Sequence, residues 1–153
     1  MATVTLKGNK INTIGTLPKV GEQAPDFKLT NNELNEVTLN DFAGQQLVLN
    51  IFPSIDTGTC AQSVREFNKA AASLNNTKVL CISKDLPFAQ ARFCGAEGIE
   101  NVVMLSDFRD GNFGEAYQVA FGDGPLLPLH ARAVIVIDGN GKVLHAQQVG
   151  EIV

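Results

Sequence analysis

No block of lysine or arginine occurs anywhere in this 153-residue chain, whose formal net charge is −4. Nucleic-acid-binding domains carry a clustered cationic footprint, and proteins held on anionic membranes need one too, so neither partner is expected. No stretch approaches the roughly 20 consecutive apolar residues that span a bilayer. The opening Met1-Ala2-Thr3-Val4-Thr5-Leu6-Lys7 lacks the apolar core of a secretory signal. A cytoplasmic protein is the resulting expectation, in a compartment where thiols stay reduced and disulfides are transient and catalytic. A Walker motif, a dinucleotide fingerprint and a Cys-x-x-Cys pair are all missing. The last absence argues against a dithiol disulfide reductase. Cysteines number only three. An odd count is unsuited to a static disulfide framework, and the spacings of Cys60, Cys81 and Cys94 are not those of a chelating pair. Neither a metal nor an organic cofactor is expected.

Hydrophobic residues make up 44% of the chain and charged residues 18%, enough apolar surface for one folded domain over 1–153. No repeat, low-complexity tract or change of composition marks a linker. Thr3 to Leu6 and Ile11 to Thr13 flank Gly8-Asn9 and predict a β-hairpin. Asp26 to Leu29 predicts a short extended segment, and Val37-Thr38-Leu39 leads into a turn at Asn40-Asp41-Phe42. Leu47-Val48-Leu49-Asn50-Ile51-Phe52 is an almost unbroken apolar run, the pattern of a strand buried on both faces, and Pro53 ends it. From Cys60 onward, Val64, Phe67, Ala71 and Leu74 recur at three- and four-residue spacing, which predicts a helix with one apolar face. Val79 to Ile82 reads as a second buried strand. Asp85 as a cap and Pro87 in the first turn predict a helix that carries Cys94 and stops at Gly95. A third strand at Val102 to Leu105, a helix from Phe113 to Val119 and a loop from Gly122 to Pro128 follow. A hairpin around Asp138-Gly139-Asn140-Gly141 closes the pattern. Alternating strands and helices with a terminal hairpin predict a mixed α/β sheet with helices on its faces.

Cys60 ends the run Pro53-Ser54-Ile55-Asp56-Thr57-Gly58-Thr59-Cys60 directly after the apolar strand, so its thiol sits where the next helix opens. Free backbone N–H groups and the positive end of the helix dipole favour thiolate there. An unassisted thiol of pKa ~8.5 is only about 3% ionised at pH 7. A helix end carries roughly half a charge, whereas a full cation ~4 Å away contributes up to about 4 kcal/mol at an effective dielectric of ~20. The helix alone is insufficient, and an arginine is required. Arg65, in the same helix, and Arg132, opening a strand beside the sheet, are both candidates. The Thr57 hydroxyl is within reach of the sulfur, and Pro53, lacking an N–H, shields it from water on one side. A thiolate, a hydroxyl and a guanidinium in a small pocket suit attack on an O–O bond. The product is a sulfenic acid, which condenses with a second thiol. Cys94 is placed to be that thiol.

At these residues the chain resembles the peroxiredoxins, whose active-site pattern is Pro-x-x-x-Thr/Ser-x-x-Cys. Pro53, Thr57 and Cys60 match it position for position. It is similar in particular to the bacterial thiol peroxidase branch, of the atypical two-cysteine kind. That similarity is carried by Leu49-Asn50-Ile51-Phe52-Pro53-Ser54-Ile55-Asp56-Thr57, by Leu86-Pro87-Phe88-Ala89-Gln90-Ala91-Arg92-Phe93-Cys94-Gly95-Ala96-Glu97-Gly98 and by Ala131-Arg132-Ala133-Val134. The resemblance covers nearly the whole chain. It implies a thioredoxin-like fold, a homodimer, and reduction of hydrogen peroxide and organic hydroperoxides. It further implies that Cys60 is peroxidatic and Cys94 resolving, joined in each cycle by an intramolecular disulfide that thioredoxin reduces. Thr57 then positions the hydroperoxide, Pro53 shields the site, and Arg132, rather than Arg65, activates thiolate and substrate. The family pattern continues past Glu151-Ile152-Val153 with a C-terminal helix on the sheet, so a domain lacking that helix is expected.

Cys81, inside an apolar strand, reads as core. His130 and His145 read as ordinary polar side chains with no assigned role, and Phe88 and Phe93 as packing. The competing functional class is a redox sensor that uses the same two cysteines to pass oxidation to a partner. Consumption of more than one equivalent of hydroperoxide per chain separates the enzyme from the sensor.

Overall fold

Alternation along the apolar run explains how one strand is buried on both sides. In the computed structural model, which describes residues 2–6 and 8–149, this run forms β5 (Gln46–Ile51). Leu47, Leu49 and Ile51 point into one apolar cluster, and Val48 packs against a second on the opposite face. The expectation that the domain lacks the family's C-terminal helix turns on the chain end at Glu151-Ile152-Val153, which lies outside the described residues.

A hairpin of β1 (Thr3–Leu6) and β2 (Asn9–Asn12) precedes the main sheet, as expected from Gly8-Asn9. The other strands are β3 (Lys28–Thr30), β4 (Glu36–Thr38), β6 (Thr77–Ser83), β7 (Val103–Ser106), β8 (Ala133–Ile137) and β9 (Val143–Gln148). Together with β5 they form a seven-stranded sheet in the order β4-β3-β7-β6-β5-β8-β9. β5, β6 and β7 are parallel, and β8 pairs antiparallel with β5. Parallel neighbours need crossover connections, and α1 (Gly58–Ala71) and α2 (Pro87–Glu97) supply them. Val64 of α1 is fully buried and, with Phe67 and Ala71, covers Val79 and Cys81 of β6. A fully buried side chain of this size contributes roughly 1.5–3 kcal/mol. The opposite face is closed by α3 (Asn112–Ala116) with Phe27, Phe113 and Tyr117. The Tyr117 hydroxyl donates to the Pro25 carbonyl at 2.7 Å, so its buried polar end is satisfied.

Five local expectations are corrected. The turn at Asn40-Asp41-Phe42 is a 3-10 helix over Leu39–Phe42. Leu74 lies beyond the end of α1 and is exposed, because the chain leaves the helix in tight turns at Ser73 and Leu74. α2 passes through Gly95 to Glu97 and stops at Gly98, whose φ of 66° is the left-handed geometry that ends a helix. The third helix closes at Ala116, since Gln118 at φ 59° turns the chain away. Asp85 also fails to cap α2. Leu86 occupies the cap position without a side-chain bond, and Pro87 opens the helix.

Candidate active site

The last residue of β5 leads into a turn held by its own polar groups. The Ser54 carbonyl accepts from the Thr57 N–H and the Thr57 hydroxyl, both at 3.2 Å. Thr57 is extended (φ −90°, ψ 145°), and its Oγ1 accepts from the Cys60 N–H at 3.2 Å, which caps α1. Cys60 is therefore the third residue of α1, because the helix starts at Gly58, two positions before the start expected from sequence. The Thr57 hydroxyl gives its proton to a backbone carbonyl, so its bonds here are those of a cap and not of a contact to sulfur. Below the turn, the Ser63 hydroxyl donates to the Cys60 carbonyl at 2.8 Å. The Asn50 amide, buried in β5, donates to Ser63 Oγ at 3.3 Å and to Cys81 Sγ at 3.7 Å.

Cys60, Cys81 and Cys94 gather around one apolar cluster, and all three are free thiols. Cys60 and Cys81 are fully buried, whereas Cys94 on α2 is partly exposed. Burial pushes the Cys94 thiol above its ordinary value of 9.0. Burial also pushes Cys81 up to about 12, against a lowering bond from Asn50 and with a further rise from the neighbouring Cys94. At pH 8 such a thiol is ionised to only about one part in ten thousand. Iodoacetamide at pH 8 should therefore label Cys94 in the native reduced protein and spare Cys81, and mass mapping that finds Cys81 alkylated first would refute this. The stabilisation from keeping Cys81 neutral is fully present below 9.0 and is lost as pH rises through about 12.

The two candidate arginines part company. Arg65 Nε donates to Glu97 Oε1 at 2.6 Å, and its guanidinium lies 5.7 Å from the Phe93 ring centroid. It is half-exposed, and these contacts join α1 to α2. Arg132 directly precedes β8, where Ala133 pairs with Ile51, so the register carries it level with Phe52 at the end of β5. Pro53 is buried at the same end of the sheet. An open groove of about 290 Å³ runs between α1 and α2, lined by Ile55, Thr57, Gly58, Arg65, Arg92 and Phe93 among others. A cleft of about 300 Å³ at the opposite end of β5, lined by Asp26, Phe42 and Asp138 among others, holds no thiol and is remote from this chemistry.

Several polar groups escaped sequence reasoning. His130 Nε2 lies 2.9 Å from Asp107 Oδ2, with both side chains buried. The same carboxylate accepts from the Phe113 and Gly114 N–H groups at 3.1 and 2.9 Å. His130 thus anchors the segment that enters Arg132 to the start of α3. Asp85, read from sequence as a cap, reaches instead into the turn before Cys60. Its Oδ1 accepts from Ser54 Oγ and its Oδ2 from the Ile55 N–H, both at 2.7 Å. Each of these partners is distant in sequence, so no local pattern signals them. Among the described residues, no group of three His, Cys, Asp or Glu could hold a metal ion, and no helix is long and apolar enough to cross a membrane.

Comparison with known proteins decides the family. The family described as Redoxin matches residues 19–153. The chain is 59% identical over 152 residues to the thiol peroxidase of Corynebacterium glutamicum, covering 99% of this chain and 92% of that protein. It is 55% identical to the thiol peroxidase of Mycobacterium tuberculosis, with 99% and 91% covered. The chain belongs to the redoxin family. Within it, these relatives make the chain an enzyme of the peroxiredoxin type, a thiol-dependent peroxidase. The crystal structure of a peroxiredoxin-like protein from Aquifex aeolicus superposes with a TM-score of 0.93 at 40% identity, covering 98% of this chain and 87% of that one. The redoxin sheet described above is accordingly thioredoxin-like, as the resemblance implied.

Proposed function

We propose that this peroxidase works through Cys60 as the attacking sulfur and Cys94 as the resolving one. The observation that carries the reading is the placement of Cys60 in the first turn of α1, capped by Thr57, in one cluster with the partly exposed Cys94. The Cys60 thiolate attacks the terminal oxygen of the hydroperoxide. An S–O bond forms as the O–O bond breaks, and the leaving alkoxide takes a proton to become the alcohol, or water from hydrogen peroxide. The N-terminal dipole of α1 and the Arg132 guanidinium stabilise charge moving onto the departing oxygen. Thr57 orients the substrate, and Pro53 keeps water from one side of the sulfur.

The Cys94 sulfur, as thiolate, then attacks the sulfenic sulfur of Cys60. A disulfide forms, and hydroxide leaves as water. A dithiol reductant of thioredoxin type returns two electrons and two protons and is itself oxidised to a disulfide. A cytoplasmic homodimer completes the reading; sedimentation as a monomer at micromolar concentration would remove the dimer. Steady-state consumption of cumene hydroperoxide with thioredoxin and its reductase tests the cycle. Many turnovers per chain are expected, and a halt at one equivalent would favour the sensor. Arg132→Met should slow sulfenic-acid formation by about 10- to 100-fold, the weight of one hydrogen bond to a charged group. A wild-type rate constant in quench-flow would strip Arg132 of this role.

A further inference from the structure

We propose that Asp85 is a positioning residue that couples the turn before Cys60 to the helix carrying Cys94, and so sets the balance between peroxide attack and disulfide closure. The inference rests on the reading of those two cysteines as the reacting pair. Asp85 stands between the end of β6 and the start of α2, where a carboxylate would be expected to cap its own helix. It does not. Its two oxygens are taken by the Ser54 hydroxyl, the Ile55 N–H and the Ser83 hydroxyl, each at 2.7 Å. The Ser83 hydroxyl also accepts from the Asp85 N–H at 3.3 Å, and the Ser106 hydroxyl donates to the Asp85 carbonyl. The residue is thus fixed on the β6 and β7 side, while its charged end grips the turn leading to Cys60.

The grip is continuous with the reacting sulfur's helix. Ser54 donates to Asp85, its carbonyl holds Thr57, and Thr57 caps the Cys60 N–H. Hydrogen bonds to an ionised acceptor are roughly twice as strong as neutral ones, so this end of the chain of contacts is its firmest link. Cys60 is fully buried and free. Its sulfenic acid must meet the Cys94 thiol with the two Cα atoms within about 7 Å, an S–S bond formed and water lost; in this proposal the first turn of α1 leaves its seat to make that approach. The Asp85 bonds stabilise the seated, peroxide-competent turn and oppose that departure. Weakening them should therefore slow the first step and speed the second. A carboxylate that merely stabilises the fold would not separate the two.

Quench-flow with hydrogen peroxide, followed by alkylation and mass spectrometry, reads both steps in the full chain. For Asp85→Asn, sulfenic-acid formation should fall about tenfold and disulfide closure should rise by a similar factor, the weight of one charge-assisted hydrogen bond. The yield of sulfinic acid per turnover should fall with it, because closure outruns further oxidation. Ser54→Ala, which removes the bond to Oδ1 and the Asp56 N–H bond to Ser54 Oγ but keeps the Ile55 and Ser83 bonds to Asp85, should shift both constants in the same senses by less, and it guards against a misfolded Asp85 variant. Both constants unchanged, or both lowered together in the two variants, would overturn the coupling. If the wild-type protein itself never links Cys60 to Cys94, the reading of the reacting pair fails and takes this inference with it. Normal linkage in wild type with an unshifted ratio in the variants removes the inference alone.

Discussion

Cys60→Ser should lower peroxide reduction by more than about a thousandfold while leaving the fold intact, the usual scale for deleting an enzymatic nucleophile. The loss is expected to be this complete because neither remaining thiol is a substitute. Cys81 is fully buried and its thiol is pushed up to about 12, so almost none of it is nucleophilic near neutrality. Burial also raises Cys94, and that residue lies on α2, without the first-turn cap that Thr57 supplies to Cys60. The exchange of sulfur for oxygen is nearly isosteric, so thermal unfolding should change little. Residual turnover of a few per cent in the thioredoxin-coupled assay would show that another group carries the reaction.

Cys94→Ser should leave the first attack untouched and cut sustained turnover by at least about a hundredfold, because resolution needs a second thiolate. The variant is expected to stop after one equivalent of hydroperoxide, with Cys60 held as a sulfenic acid that gains the mass of one oxygen atom. The wild-type protein adds a pH signature to the same step. Since burial raises the Cys94 thiol, its thiolate is scarce at neutral pH and grows with alkalinity. Disulfide closure should therefore accelerate by up to about tenfold per pH unit between neutrality and the raised value. A flat profile, or a Cys94→Ser variant that cycles normally, would assign resolution elsewhere.

Much of this architecture is legible from local patterns. The unbroken run from Leu47 declares a strand buried on both faces, and the spacing of Val64, Phe67 and Ala71 declares the apolar side of α1. Pro53, Thr57 and Cys60 fall within one short run, so their pattern survives in sequence, and the structure puts Thr57 at the cap of α1 and Cys60 in its first turn. What stayed hidden depends on partners far along the chain. Asp85 has the composition of a cap, yet two of its three side-chain donors come from the turn at Ser54 and Ile55. Arg65 was a plausible cation for the thiol until Glu97 and Phe93 were brought beside it by the packing of α2 on α1. His130 offered no pattern at all, because its partner Asp107 belongs to a different element. Helix ends were misjudged where a glycine in ordinary helical geometry, Gly95, was taken for the stop that Gly98 provides.

The most direct test of this account is peptide mapping after one equivalent of hydrogen peroxide, with free thiols alkylated before and after unfolding. One linked pair joining the Cys60 and Cys94 peptides is predicted, with Cys81 recovered as a thiol that reacts only once the chain is unfolded. Recovery of Cys60 as an unmodified thiol, or a disulfide that includes Cys81, would contradict it.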